Sequence, residues 1–184
     1  MRVGHERANT TLIAQAAGVS VGSLYQYYPN KDAVFSALLQ AELALALSSM
    51  RAAIEATAAL GLEARVTQVV HGLCAYKAAN PRLHRTLKTE LGRIDGQKIL
   101  RRLNEQTLSL VSDVLRAHEA ELPLADPARA AFMAVNAVDG VVCAALLDPA
   151  CGLGQPAFAR ELSEGVLAML RSLPRAGLPQ ATAI

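Results

Sequence analysis

A chain of 184 residues with a formal net charge of +2 is long enough to bury a core, and with 52% hydrophobic and 18% charged residues it is neither a disordered nor a polyionic polypeptide. Apolar residues recur at helical spacing and β-branched alternation is scarce, which argues an all-α protein. Three cysteines, Cys74, Cys143 and Cys151, stand at neither disulfide nor zinc spacing, and their odd number suits a reducing cytoplasm.

In chain order, the pattern predicts helices over residues 11–17, 21–28, 32–50, 63–79, 82–93, 96–120, 127–147 and 157–173. Asn80-Pro81, Leu122-Pro123, Asp126-Pro127, Asp148-Pro149 and Leu173-Pro174 punctuate them. Very short helices give way to long ones near Lys31, which divides the chain into an N-terminal unit, 1–36, a helical domain, 37–175, and a disordered tail, 176–184. The run from Ala130 to Leu147 is apolar enough to suggest a membrane span. Asn136 and Asp139 fall near its middle, however, and an Asp at mid-span costs roughly 2.5–3.5 kcal/mol, so a buried bundle helix is expected and no membrane. Nothing in the polar N-terminus has the form of a signal peptide.

Aromatic residues make up only 4% of the chain, yet Tyr25, Tyr27 and Tyr28, three of its four tyrosines, fall within four consecutive positions. Thr10 and Thr11 are N-cap residues ahead of Leu12, Ile13 and Ala16, Gly18 ends that helix, and Ser20 caps the next. Val19 is placed to plug the gap between the two helices, and the whole reads as a helix-turn-helix. Val21, Leu24 and Tyr28 share one face and should turn to the core. Ser23, Gln26 and Tyr27 project on the other side, where small and flat polar groups suit a major groove and a glutamine can read adenine bidentately. Tyr25 at the edge and Lys31 at the next helix start are placed to meet phosphates.

The segment TTLIAQAAGVSVGSLYQYYPNKDAVF resembles the helix-turn-helix of the TetR/AcrR family of bacterial transcriptional regulators, densely over residues 8–39. The remainder resembles that family's effector-binding and dimerisation domain in length and helicity alone. The resemblance implies a homodimer on a palindromic operator of double-stranded DNA, released by a small-molecule effector. It implies phosphate contacts from Thr10 and Thr11, groove contacts from Ser23, Gln26 and Tyr27, and backbone contacts from Tyr25 and Lys31, with Ser20 at the helix start. Family members carry another helix before this motif, whereas only MRVGHERAN precedes Thr10, with His5, Glu6 and Arg7 reading as the loop after it. The expectation is therefore of a misplaced or truncated start, with an amphipathic basic helix encoded upstream. Over residues 1–50, Arg2, Arg7 and Lys31 are balanced by Glu6, Asp32 and Glu42, which leaves little charge for neutralising phosphates.

The run from Arg82 to Arg102 holds seven Lys or Arg and reads as a solvated helical face rather than a second nucleic-acid site. His71 and Cys74 lie three apart on a helix, but with no further ligand at a matching spacing they do not constitute a metal site. Gly152-Leu153-Gly154 reads as a turn, and no cofactor or nucleophile motif is present, so no enzyme is expected. Polar residues within apolar helices, His71, Cys74, Asn136 and Asp139, are candidates for orienting an apolar or amphipathic effector, with Met133 as an adaptable wall. Small residues along 130–145 and the stripe of Leu162, Val166, Met169, Leu170 and Leu173 suggest that the last two helices pair with their copies in a four-helix interface. The alternative reading is a ligand-binding dimerisation module without operator binding.

Overall fold

The computed structural model describes residues 9–90 and 96–176. The expected loop at His5, Glu6 and Arg7, the end of the helix expected over 82–93, and all of the expected tail but Ala176 lie outside them. The described residues form eight α-helices, with one isolated bridge between Leu124 and Arg175 in place of any strand.

Asn9, not Thr10 or Thr11, caps α1 (Thr10–Ala17): its side-chain oxygen accepts from the Leu12 N–H at 2.8 Å. The two threonines lie within the first turn, because the extended Asn9 backbone lets a short carboxamide reach the third helical amide. Gly18 closes α1 at φ 69°, and the Val19 N–H bonds the Ala14 carbonyl at 3.0 Å. A side chain in that left-handed conformation would be strained, so the turn belongs to glycine. Ser20 caps α2 (Val21–Tyr27) through the Ser23 N–H at 2.9 Å. The crossing is filled by Ala14 and Leu24, both buried, whereas Val19 is 45% exposed and does not serve as the expected plug.

Asn30 caps α3, which runs as one helix over Lys31–Ala56. It extends past the expected end at residue 50 because its last carbonyls find partners from outside the helix's own ladder. The Thr57 hydroxyl donates to the Ala53 carbonyl at 2.7 Å, and Arg65 Nη2 to that of Ile54 at 2.9 Å. Since α3 crosses the 36/37 boundary, the N-terminal unit and the helical domain share a helix.

The bundle continues through α4 (Leu62–Ala79), α5 (Pro81–Glu90), α6 (Gly96–Ala117), α7 (Pro127–Leu147) and α8 (Pro156–Ser172). At one end Leu62, Leu115, Leu122, Ala131, Ala134, Val166 and Leu170 form a core, joined towards the other by Val70, Cys74, Val142, Leu146 and Ala159. A third cluster, Phe35, Leu39 and Leu87, packs the start of α3 against α5. The stripe on α8 is spent within the chain: Val166 and Leu170 are buried and Leu162, Met169 and Leu173 pack against the same core. By length and composition α3 and α7 each qualify to cross a membrane. Here α7 packs on α4, α5, α6 and α8, and α3 holds Glu42 in a hydrogen bond.

Candidate nucleic-acid interface and helical-domain polar cluster

Seven residues make α2, and its two faces differ sharply. Leu24 is buried and Val21 and Tyr28 are half-buried, as the period predicts. Ser23, Gln26 and Tyr27 face outwards, and Tyr27 is 79% exposed. A tyrosine ring left so far in water gains little from its own fold and is open to a partner. The Ser23 hydroxyl is tied to that of Ser20 at 2.8 Å, so it serves the cap as well as the face.

At the edge, Tyr25 Oη lies 3.2 Å from Thr10 Oγ1, joining the outer surfaces of the two helices. Thr11 is exposed beside them, and Lys31 is half-buried at the first position of α3. The eight residues expected at this interface, Thr10, Thr11, Ser20, Ser23, Tyr25, Gln26, Tyr27 and Lys31, thus belong to one helix pair and the helix start that follows it. Their geometry offers hydroxyl, carboxamide and aromatic surface around a short helix.

The residues expected at an effector site are dispersed. Cys74 is buried among Val70, Val142 and Leu146, and burial raises its thiol pKa. His71 is half-buried, and its Nε2 is buried without a partner among the described residues. Met133 is half-buried; Asn136 is exposed and donates to the Phe132 carbonyl at 2.7 Å. Asp139 is also exposed and accepts from the Cys143 thiol at 3.5 Å. Two surface grooves flank the N-terminus of α4, of about 510 and 350 Å³, lined chiefly by Gly61, Glu63, Thr67 and Glu121, and by Leu62, Leu167, Arg171 and Arg175. None of the five expected residues lines either groove.

A polar cluster that the sequence reading missed lies where α3, α4, α5 and α7 meet. Tyr76 donates from Oη to Glu42 Oε2 at 2.9 Å, joining α4 to α3 across 34 residues of chain. Burial and this carboxylate push the tyrosine pKa up to about 12. The buried His84 ring packs against Tyr76 with centroids 5.0 Å apart, and burial, then the nearby Lys77 cation, lower its pKa. Burial also lowers that of Lys77, outweighing the pull of Cys143, Asp139 and Glu42. Burial, then Asp139, raise the pKa of Cys143, against the lowering effect of the nearby Lys88 cation. One signal was present in the sequence: Glu42 is the sole charge between Asp32 and Arg51, on an otherwise apolar helix.

Residues 61–170 match the family model described as the tetracyclin repressor-like C-terminal domain, and residues 1–38 that of bacterial regulatory proteins of the tetR family. No curated protein matches the chain. Among solved structures, a protein from Pseudomonas aeruginosa PAO1 regarded as a transcriptional regulator is 24% identical, with a TM-score of 0.73 over 93% of this chain and 84% of that one. The fatty acid degradation regulator FadR from Bacillus halodurans is 21% identical, with a TM-score of 0.68 over 94% and 90%. The TetR family transcriptional regulator PfmR from Thermus thermophilus is 18% identical, with a TM-score of 0.60 over 92% and 91%. At these identities the structures speak for the fold alone.

Proposed function

Because the chain belongs to the TetR family of bacterial transcriptional regulators, with a DNA-binding and a C-terminal ligand-binding domain, we propose that it is a repressor that releases its operator when a small molecule binds. The observation that carries this reading is the outward face of α2, with Gln26 and the 79% exposed Tyr27 side by side. Gln26, Ser23 and Tyr27 enter the major groove; Thr10, Thr11, Tyr25, Lys31 and the Ser20 end of α2 meet the phosphates. The chain acts in the cytoplasm, binds no membrane and catalyses no reaction.

Two copies on a palindrome must hold their recognition helices about 34–36 Å apart. The pairing surface is the outer face of the last two helices: Phe132, Asn136 and Leu147 on α7, and Glu161, Gly165, Ala168 and Ser172 on α8, all exposed. Glycine and alanine there permit close approach of helices. An effector, contacted by residues such as His71, Cys74, Met133, Asn136 and Asp139, biases the dimer towards a spacing that no longer fits successive grooves.

Fluorescence anisotropy with DNA from immediately upstream of the gene tests the reading. Binding that weakens steeply with salt, and a Gln26→Ala chain that binds with relaxed sequence preference, are expected. A folded dimer that binds no DNA at low salt overturns it in favour of a ligand-binding module alone.

A further inference from the structure

Lys77 is a half-buried cation whose ammonium lies 5.8 Å from the centroid of the Tyr76 ring. Among the described residues no carboxylate lies within ion-pair distance of its ammonium, and the nearby acids are otherwise engaged. Glu42 accepts the Tyr76 hydroxyl at 2.9 Å, and Asp139 accepts the Cys143 thiol. The ammonium has three N–H donors, and an anion of a ligand can take them up in a partly desolvated place where a charged hydrogen bond is strengthened. Lys88, exposed one turn beyond His84 on α5, adds a second cation whose charge is felt by both Lys77 and Cys143. Arg85 is spent elsewhere, its Nε donating to the Leu146 carbonyl near the C-terminus of α7 at 2.9 Å.

These residues come from all the elements that a signal must cross. Glu42 lies on the helix that begins directly after the recognition pair, about three turns beyond Lys31. Phe35 and Leu39 on that helix pack against Leu87 of α5, the same helix that carries His84 and Lys88. A displacement of Glu42 along α3 is therefore passed to the start of that helix at Lys31, which follows α2 directly in the chain.

We propose that the effector carries an anionic group, a carboxylate or phosphate, that is held by Lys77 and Lys88 and is signalled through the Tyr76–Glu42 hydrogen bond. This rests on the reading of the chain as a ligand-controlled repressor. The anion supplies an acceptor that no carboxylate among the described residues gives Lys77, and its charge repels the Glu42 carboxylate across Tyr76. The tyrosine hydroxyl is then free to donate to the ligand, the tie between α3 and α4 is broken, and α3 moves with its helix pair.

The test uses three probes of equal length, decanoate, 1-decanol and decylammonium, titrated calorimetrically into the full chain and, separately, into its complex with operator DNA. Decanoate is expected to bind about tenfold more tightly than decanol, since a hydrogen bond to a charged group is at stake, and decylammonium most weakly. Lys77→Met should abolish that preference and Lys77→Arg preserve it, which separates loss of charge from loss of fold. Tyr76→Phe, which lacks the tie from the outset, should still bind decanoate but should hold operator several-fold more weakly before any probe is added and lose most of the further response to decanoate. Equal affinity for all three probes, no binding of decanoate, or an unchanged preference in folded Lys77→Met overturns the proposal. Failure of the repressor reading is seen differently, as absence of operator binding before any probe is added.

Discussion

The recognition pair and the helical domain solve opposite problems with the same amino acids. In α1 and α2 two residues, Ala14 and Leu24, are buried, and the shape is set by caps: Asn9, Gly18, Ser20 and Asn30 each satisfy backbone amides or carbonyls at a helix end. In the bundle local caps persist, as where Asp126 accepts from the Arg129 N–H at 2.9 Å at the start of α7, but groups remote in the chain hold helix ends as well. Glu121 accepts from the Leu62 N–H at 3.0 Å, and the His118 ring nitrogens lie 2.8 Å from the Val114 carbonyl oxygen and 3.3 Å from that of Leu60, a neutral ring donating to one of them. A unit that must present polar side chains to a partner cannot also bury them, so it takes its shape from local hydrogen bonds. The bundle takes its shape from apolar burial and can keep a few polar groups inside.

The largest effect that sharpens this contrast is expected from Leu170→Ala in α8, where a side chain 1% exposed is lost. Stability to urea should fall by about 2–5 kcal/mol, with the operator preference of the remaining folded protein unchanged. Gln26→Ala should do the reverse: the denaturation midpoint stays in place, while discrimination among operator variants falls by about 1–3 kcal/mol. Ser20→Ala, which removes both the cap and the partner of Ser23, should cost about 1 kcal/mol, read as faster amide exchange confined to α2. If that loss instead spreads across α4–α8, the two regions are not separately stabilised.

The smallest effect concerns pH. Burial lowers the pKa of His84, so the folded chain binds that proton less readily than the unfolded chain does. Acidification from neutrality through the ordinary imidazole range near 6.5 therefore draws the equilibrium towards unfolding. The groups facing the ring, Tyr76, Lys77 and Glu42, do not reverse this, because burial and Lys77 outweigh Glu42. The melting temperature should fall between about pH 7 and about pH 5, and His84→Gln should flatten that slope.

Much of this arrangement was legible beforehand. Proline and glycine punctuation located all eight helices among the described residues, and the i, i+3, i+4 period separated Leu24 from Gln26 and Tyr27. Errors arose where the deciding partner is remote in sequence or where several local donors compete. Asn9 outcompeted Thr10 and Thr11 as a cap because its carboxamide reaches the Leu12 amide. The added turns of α3 depend on Arg65, and the partner of Glu42 is 34 residues away. The α8 stripe was read as a dimer face, but it is the face that the chain's own core requires.

Helix positions, the helix-turn-helix and the polar outer face of α2 were determined by the sequence, because caps, glycine turns and helical periodicity act over a few residues. The tertiary structure alone decided which apolar stripes are buried within the chain, and it alone brought Glu42, Tyr76, Lys77, His84 and Lys88 together. Those contacts depend on how four helices pack, and no local pattern encodes a distance between residues that far apart.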